Sequence, residues 1–317
     1  MRKYLYASVL MLFIASCSKP ANDIPSVAGS LVLAEVKQSN SATNTVNFRT
    51  CTYDRNGNLT YVSSTDKHGV QRGGYEISYP LPNTVVLKEW VEQFSVYENV
   101  ITFILDGQGR PAARYQRQYL NHTSNGIWSI DDDSTFYNYG PDGLLAFSYS
   151  RSSDTVNAPG VNNLGVYRKR YADTTYFTNA GGDVVSARAV GKGSIIRYDG
   201  ANTSMEAIDR RTTTTYDYSM QIKGGNYGKN AFLYQELNML GMVPHPFHLH
   251  YQRIANKVSA VTEEQDRGNG QWTAVSAEPK QYNPGSVFNY TALNLITRVA
   301  YTEASSGTRY FSDFTYS

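Results

Sequence analysis

Residues 53–61 read YDRNGNLTY, and the phrase returns in altered form as LDGQGRP (105–111), YGPDGLL (139–145) and, more loosely, YFTNAGGDVV (176–185). In the first three, an aromatic or apolar residue is followed four positions later by Gly57, Gly109 or Gly143 and six later by Leu or Pro. Asp, Asn or Pro initiates a turn in such a place, and glycine takes the positive φ that a short loop between right-twisted strands demands. The phrase is therefore a hairpin, and what repeats is a way of reversing a strand.

The segments between such turns alternate apolar and polar residues, at 31–36, 75–79, 84–90, 96–105, 135–139, 171–177, 212–222, 258–262, 295–301 and 308–316. With 26 Tyr and 25 Gly among 317 residues, the chain favours half-buried pleated surfaces over helices. Residues 31–317 are expected to form one all-β domain of about 14 to 18 antiparallel strands. Sheets that wide curl, so the expected architecture is a many-stranded curled sheet or a soluble porin-like barrel built from hairpins. An integral outer-membrane barrel is the alternative. One segment departs from this pattern: Phe232, Leu233, Leu237 and Leu240 share a helical stripe that Asn230 can cap and Gly241 can end. A short helix over 231–240 is expected to cover one end or edge of the sheet.

The N-terminus speaks to compartment. Arg2 and Lys3 precede the apolar run 5–14, too short to span a bilayer, which reads as a secretory signal over 1–16. The run closes on Ile14-Ala15-Ser16-Cys17, which resembles the lipobox of bacterial lipoproteins and implies acylation of Cys17. Several buried acyl chains give stable attachment, so the resemblance implies a membrane-tethered protein. Residues 17–30 are rich in Pro, Ser, Ala and Gly, as a flexible tether is. Ser18 follows the cysteine, with no aspartate to suggest inner-membrane retention, which points to the outer membrane. Without Arg2 and Lys3, 27 basic residues balance 27 acidic ones, and no nucleic-acid footprint is present. Cys51 is the one further cysteine, so no intramolecular disulfide forms, and it reads as a small buried residue.

The turn phrases also resemble the YD-type repeats of Rhs-like secreted proteins. Together with Cys17, the segment from Asn226 to Phe232 and the closing unit LITRVAY…GTRYFSDFTYS (295–317), they resemble a family of bacterial outer-membrane-type lipoproteins of unassigned function. That resemblance implies a porin-like β fold and no activity. Gly140 and Thr178 stand where the strict repeat has aspartate.

The densest candidate chemistry is VPHPFHLHY (243–251). In an extended chain His248 and His250 project from one face, and His245 between two prolines is placed to add a third nitrogen, a ligand set for zinc or copper. A metal-dependent hydrolase built there is one alternative. Against it, the segment has no HExxH pattern and no nearby carboxylate base. Asp131, Asp132 and Asp133 read as a solvated loop before a strand, and the pairs Arg210-Arg211 and Glu263-Glu264 as strand-edge charges. No nucleophile elbow or phosphate loop occurs, and no catalytic residue is nominated. Trp90, Trp128, Trp272 and Tyr251 are candidate stacking platforms for a glycan. The aromatics and the lack of catalytic motifs favour a binding module for a glycan or another envelope component, and the lipobox resemblance implies that it is lipid-anchored. A structural accessory subunit of an outer-membrane complex is the further alternative.

Overall fold

The computed structural model describes residues 32–41, 45–92, 96–122, 127–158, 165–199, 202–220, 222–223, 228–237, 253–255, 257–265, 269–276, 280–281, 286–292, 295–302 and 308–317. A meander comes first: β1 (Leu33–Asn40), β2 (Thr45–Tyr53), β3 (Leu59–Asp66), β4 (Gln71–Leu81), β5 (Thr84–Val91) and β6 (Val96–Leu105). It continues with β7 (Pro111–His122), β8 (Ile127–Tyr139), β9 (Leu145–Ala158), β10 (Gly165–Ala180), β11 (Asp183–Asp199) and β12 (Asn202–Asp217). A small pair, β13 (Ile222–Lys223) with β14 (Arg253–Ile254), flanks a 3-10 turn at Gly228–Asn230 and the helix α1 (Ala231–Glu236). The chain then rejoins the sheet as β15 (Lys257–Gln265), β16 (Trp272–Ser276), β17 (Lys280–Gln281), β18 (Val287–Tyr290), β19 (Ile296–Thr302) and β20 (Arg309–Tyr316).

Every register in the main sheet is antiparallel, and neighbours follow chain order from β1 to β12. β12 continues to β15, while β1 also pairs with β20, β20 with β19 and β19 with β18. Because β16 and β17 share one flank of β15, the 18 strand segments occupy seventeen positions, as many as the length of the chain led one to expect. Among the described residues no register joins β18 to β16 or β17, so the sheet is not closed. It curls nonetheless. Val258 of β15 and Phe288 of β18, from opposite ends of the order, pack on one core with Val36, Leu87 and Phe103. That core defines an inner face. The other side of each strand is the outer face.

The turns are built as the opening phrase predicts. Gly57, Gly109 and Gly143 have φ of 72°, 76° and 80°. Asp54 accepts from the N–H groups of Asn56 and Asn58 at 2.8 and 2.9 Å, and the Gly57 N–H donates to the Asp54 carbonyl at 3.0 Å. Asp106 repeats these bonds toward Gln108 and Arg110, and so does Asp66 toward His68 and Val70, a copy the phrase search passes over. In the third phrase Gly140 replaces the aspartate. The backbone bond from Gly143 to Gly140 survives at 2.9 Å, and Asp142 accepts from Leu144 N–H instead.

Tyrosines at strand ends, among them Tyr53 and Tyr139 of the phrase, have a separate task. Tyr79 Oη donates to the Leu59 carbonyl at 3.0 Å, Tyr139 to Pro111 at 2.9 Å, Tyr218 to Val184 at 2.7 Å and Tyr316 to Ile296 at 2.6 Å. Tyr53 makes the same bond to Leu33. Each acceptor is the first or second residue of a strand leaving the turn end, and each is buried. A buried carbonyl needs a partner there, where the strand ladder has only begun. Arg110 ties two of the phrases together: its Nη1 donates to the Gly143 carbonyl at 3.0 Å, and its guanidinium lies 4.0 Å from the Tyr139 ring.

The helix is shorter than the stripe predicts, ending at Glu236 with Leu237 as its cap; residues 238–241 lie outside the described residues. A six-residue helix has no independent stability, so its place is set by packing. Phe232, Leu233 and Tyr234 are buried on the inner face, with Phe232 edge-on to Phe103 at 5.2 Å. Asn230 makes no side-chain cap, contrary to expectation. Its amide is taken up by the first hairpin: Nδ2 donates to the Gly57 carbonyl at 2.9 Å and Oδ1 accepts from Leu59 N–H at 3.3 Å. At the other end Glu236 meets Arg114 of β7 at 2.7 Å, and Arg49 of β2 donates to the Leu237 carbonyl at 2.5 Å. The helix therefore covers the turn end of the inner face.

Three further expectations are corrected. Asp131, Asp132 and Asp133 are not a loop but the middle of β8, because the long β7–β8 hairpin carries its ladder straight through them. The pairs 210–211 and 263–264 do not blunt an edge. They face each other across β12 and β15, with Arg210 bonded to Glu264 and Arg211 to Glu263 on opposite faces. The run 212–222 also breaks after Asp217, whose carboxylate accepts from Ser219 N–H at 2.9 Å and turns the chain. Cys51 is buried as expected, and burial pushes its thiol up to about 12.

Candidate functional site

From β6 to β11 the outer face bears an open groove of about 800 Å³. Register places two rows of side chains across it. One runs Arg117, Asp132, Ser153, Arg170 and Ser194, and the next runs Tyr115, Ser134, Arg151, Ala172 and Lys192. The groove has depth because small side chains (Ser134, Ser153, Ala172, Ser194) alternate with long ones. A strand turns every second residue outward, so each long strand contributes two or three of these positions.

The chemistry of the groove is cationic. Arg117, Arg151, Arg170 and Lys192 are all exposed. Arg117 is partly engaged, 3.9 Å from Asp132. Arg151 donates from Nε to Tyr149 Oη at 2.7 Å and lies 5.2 Å from that ring. Arg170 and Lys192 have no ion pair among the described residues. Next to these rows, on the side of the tight turns, is an aromatic band: Tyr115 meets Phe136 edge-on at 5.9 Å, and Phe136 stacks with Tyr149 at 6.5 Å. Phe147 and Tyr176 follow at 6.4 Å.

The inner face of the same strands is acidic. Burial, reinforced by the Asp154 charge, holds the carboxyls of Asp131 and Asp133 above the usual range. Lys169 lies 3.5 Å from Asp154. Among the described residues no group of three His, Cys, Asp or Glu side chains is arranged to hold a metal ion.

The residues nominated from sequence are dispersed. Gly57, Gly109 and Gly143 are turn residues at one end of the sheet. Trp90 of β5 lies on the outer face over Gly74, its Nε1 3.0 Å from where a Cβ would stand. Trp128 is the second residue of β8, paired with Asn121 and Asn157. Trp272 of β16 is covered by the Arg211 guanidinium 4.1 Å from its ring. These three indoles stand on well-separated strands and share no ring contact among the described residues. Cys17, His245, His248, His250 and Tyr251 lie outside the described residues. Sequence reading missed the four cations of the groove. Their one local sign is a basic residue at alternate positions, as in Arg168 and Arg170.

No protein-family model and no curated protein matches this chain. Among solved structures it is similar to a porin-like protein from Bacteroides vulgatus ATCC 8482, at 14% identity and a TM-score of 0.48, covering 91% of this chain and 99% of that one. It is also similar to a porin-like protein from Bacteroides uniformis ATCC 8492, at 9% identity and a TM-score of 0.40, covering 90% of this chain and 96% of that one.

Proposed function

We propose that this protein is a binding module of the bacterial envelope, held to the outer membrane by acyl chains on Cys17 and taking a glycan in the outer-face groove. The observation that carries the reading is the groove itself: about 800 Å³ of open space floored by serines and alanine and walled by Tyr115, Arg151, Arg170 and Lys192. Polar donors beside aromatic faces suit the hydroxyl edges and apolar faces of sugar rings. The tether and anchor rest on the apolar run, the small residues before Cys17 and the Pro- and Ser-rich stretch after it.

The test is calorimetric titration of the purified chain against a panel of envelope glycans, beside an Arg151→Ala/Arg170→Ala variant of unchanged melting temperature. Binding that weakens at least tenfold in the variant supports the reading. Binding that is unaffected removes the groove from it. Acyl labelling that persists in Cys17→Ser would remove the anchor.

A further inference from the structure

We propose that the ligand of this groove is an anionic glycan, its rings laid along the aromatic band and its acidic groups directed at Arg151, Arg170 and Lys192. The proposal rests on the binding-module reading and adds the charge of the ligand. Its basis is a juxtaposition that neither feature shows alone. Tyr115 and Arg151 stand in one row of the outer face, and Phe136 and Tyr149 stand in the row two residues nearer the turns. Rows so spaced lie about 7 Å apart along the strands, which is within reach of an acidic substituent on a ring stacked over the band. Across the strands, from β7 to β11, the cations extend over about 19 Å, so an elongated chain meets several of them.

The charge balance favours an anion. On this face Arg117, Arg151, Arg170 and Lys192 outnumber the two carboxylates beside them, Asp132, which Arg117 engages, and Asp209, which register sets opposite Lys192, while Asp133 points to the inner face. The aromatic band remains open, with Tyr115 and Phe136 42% and 41% exposed and Tyr176 56% exposed. A membrane surface also favours aromatics beside basic residues, but a concave groove fits a chain better than a flat bilayer.

The experiment uses the full chain in detergent and three probes: an oligogalacturonate, a neutral maltooligosaccharide of equal length, and phosphatidylglycerol vesicles. The oligogalacturonate should bind, more weakly as salt rises, and Arg170→Ala/Lys192→Ala should weaken it at least tenfold with the melting temperature unchanged. Phe136→Ala should weaken it about threefold or more. Equal binding of the neutral oligosaccharide would overturn the anionic assignment and leave the binding-module reading standing. Vesicle binding through the same residues with no oligosaccharide bound would replace the glycan by a membrane surface. Failure of every glycan would end both readings.

Discussion

The hydroxyl of Tyr79 donates to the carbonyl of Leu59 at 3.0 Å, across two strands and 20 residues of chain. The same bond links Tyr316 to Ile296, also 20 residues apart. Burial keeps the Tyr79 hydroxyl protonated well above the phenol range, so it is a permanent donor. Tyr53 and Tyr139, which open two of the turn phrases, make the same bond to Leu33 and Pro111, so the aromatic there closes the start of a neighbouring strand while the glycine turns its own.

Tyr79→Phe removes the donor and leaves the Leu59 carbonyl without it. The expected cost is about 1 to 2 kcal/mol, read as a lower denaturation midpoint at unchanged slope. Tyr53→Phe should cost more than Tyr79→Phe. Tyr53 also lies 2.7 Å from Tyr234 Oη and, having given its proton to Leu33, accepts from the helix.

The ion pair of Arg114 with Glu236 is the one charged link between β7 and α1, and both side chains are largely buried, at 15% and 9% exposure. Burial disfavours the Arg114 charge, and Glu236 more than compensates. Glu236→Ala strands a buried guanidinium and should cost about 3 kcal/mol. Arg114→Met with Glu236→Leu should cost less than either single change, which a double-mutant cycle in urea measures.

Two kinds of glycine should respond differently to alanine. At Gly109 the constraint is the backbone, with φ at +76°, and Gly109→Ala should cost about 1 to 2 kcal/mol while Gly109→Asn costs less. At Gly191 the backbone is ordinary, but an added Cβ would stand 2.0 Å from Tyr171 Oη. Gly191→Ala should therefore destabilise in the native chain and be rescued only in part by Tyr171→Ala, since Asp173 Cβ also stands 2.8 Å from the added Cβ. Melting curves of the four variants decide this.

Acid should reveal two opposing groups of aspartates. Burial disfavours the Asp106 charge, but the Arg110 and Gln108 N–H groups and the Arg110 guanidinium hold its carboxyl below the usual range. Its contribution is present above the unfolded value near 3.9 and is lost as pH falls through the folded value. Asp106→Asn should lower the melting temperature by about 2 to 4 °C at pH 7, with the difference shrinking in acid below both values. Asp133 has the opposite sign: raised by burial and by Asp154, it favours the fold in acid and loses that as pH rises past its folded value. Asp133→Asn should raise the melting temperature by about 1 to 3 °C at pH 7 and leave it unchanged near pH 3.

The legibility of the strands followed the core. Runs 84–90 and 96–105 alternate because one face packs on α1 and the other meets water, as Leu87 and Phe103 show. β9 and β11 carry polar or small residues on both faces beyond that core, so Ser152, Ser153 and Gly191 gave no period to read. The aspartates of β8 misled for the same reason, since a run of carboxylates is ordinarily a solvated loop. Asn230 misled because its amide found the first hairpin, a partner 171 residues away, in place of the local helix cap.

The sequence by itself determined the turns, because the bonds that make them close within five residues: aspartate side chain to the next N–H groups, and glycine at positive φ. From those turns the all-β class and the approximate strand number follow. Only the tertiary structure decided which side chains share a surface. Tyr115, Arg151, Arg170 and Lys192 come from four strands, and a shift of one residue in any register would send a contribution to the inner face. Register is set by pairings tens of residues apart and by the curl that packs the core, and no short stretch of chain contains that information.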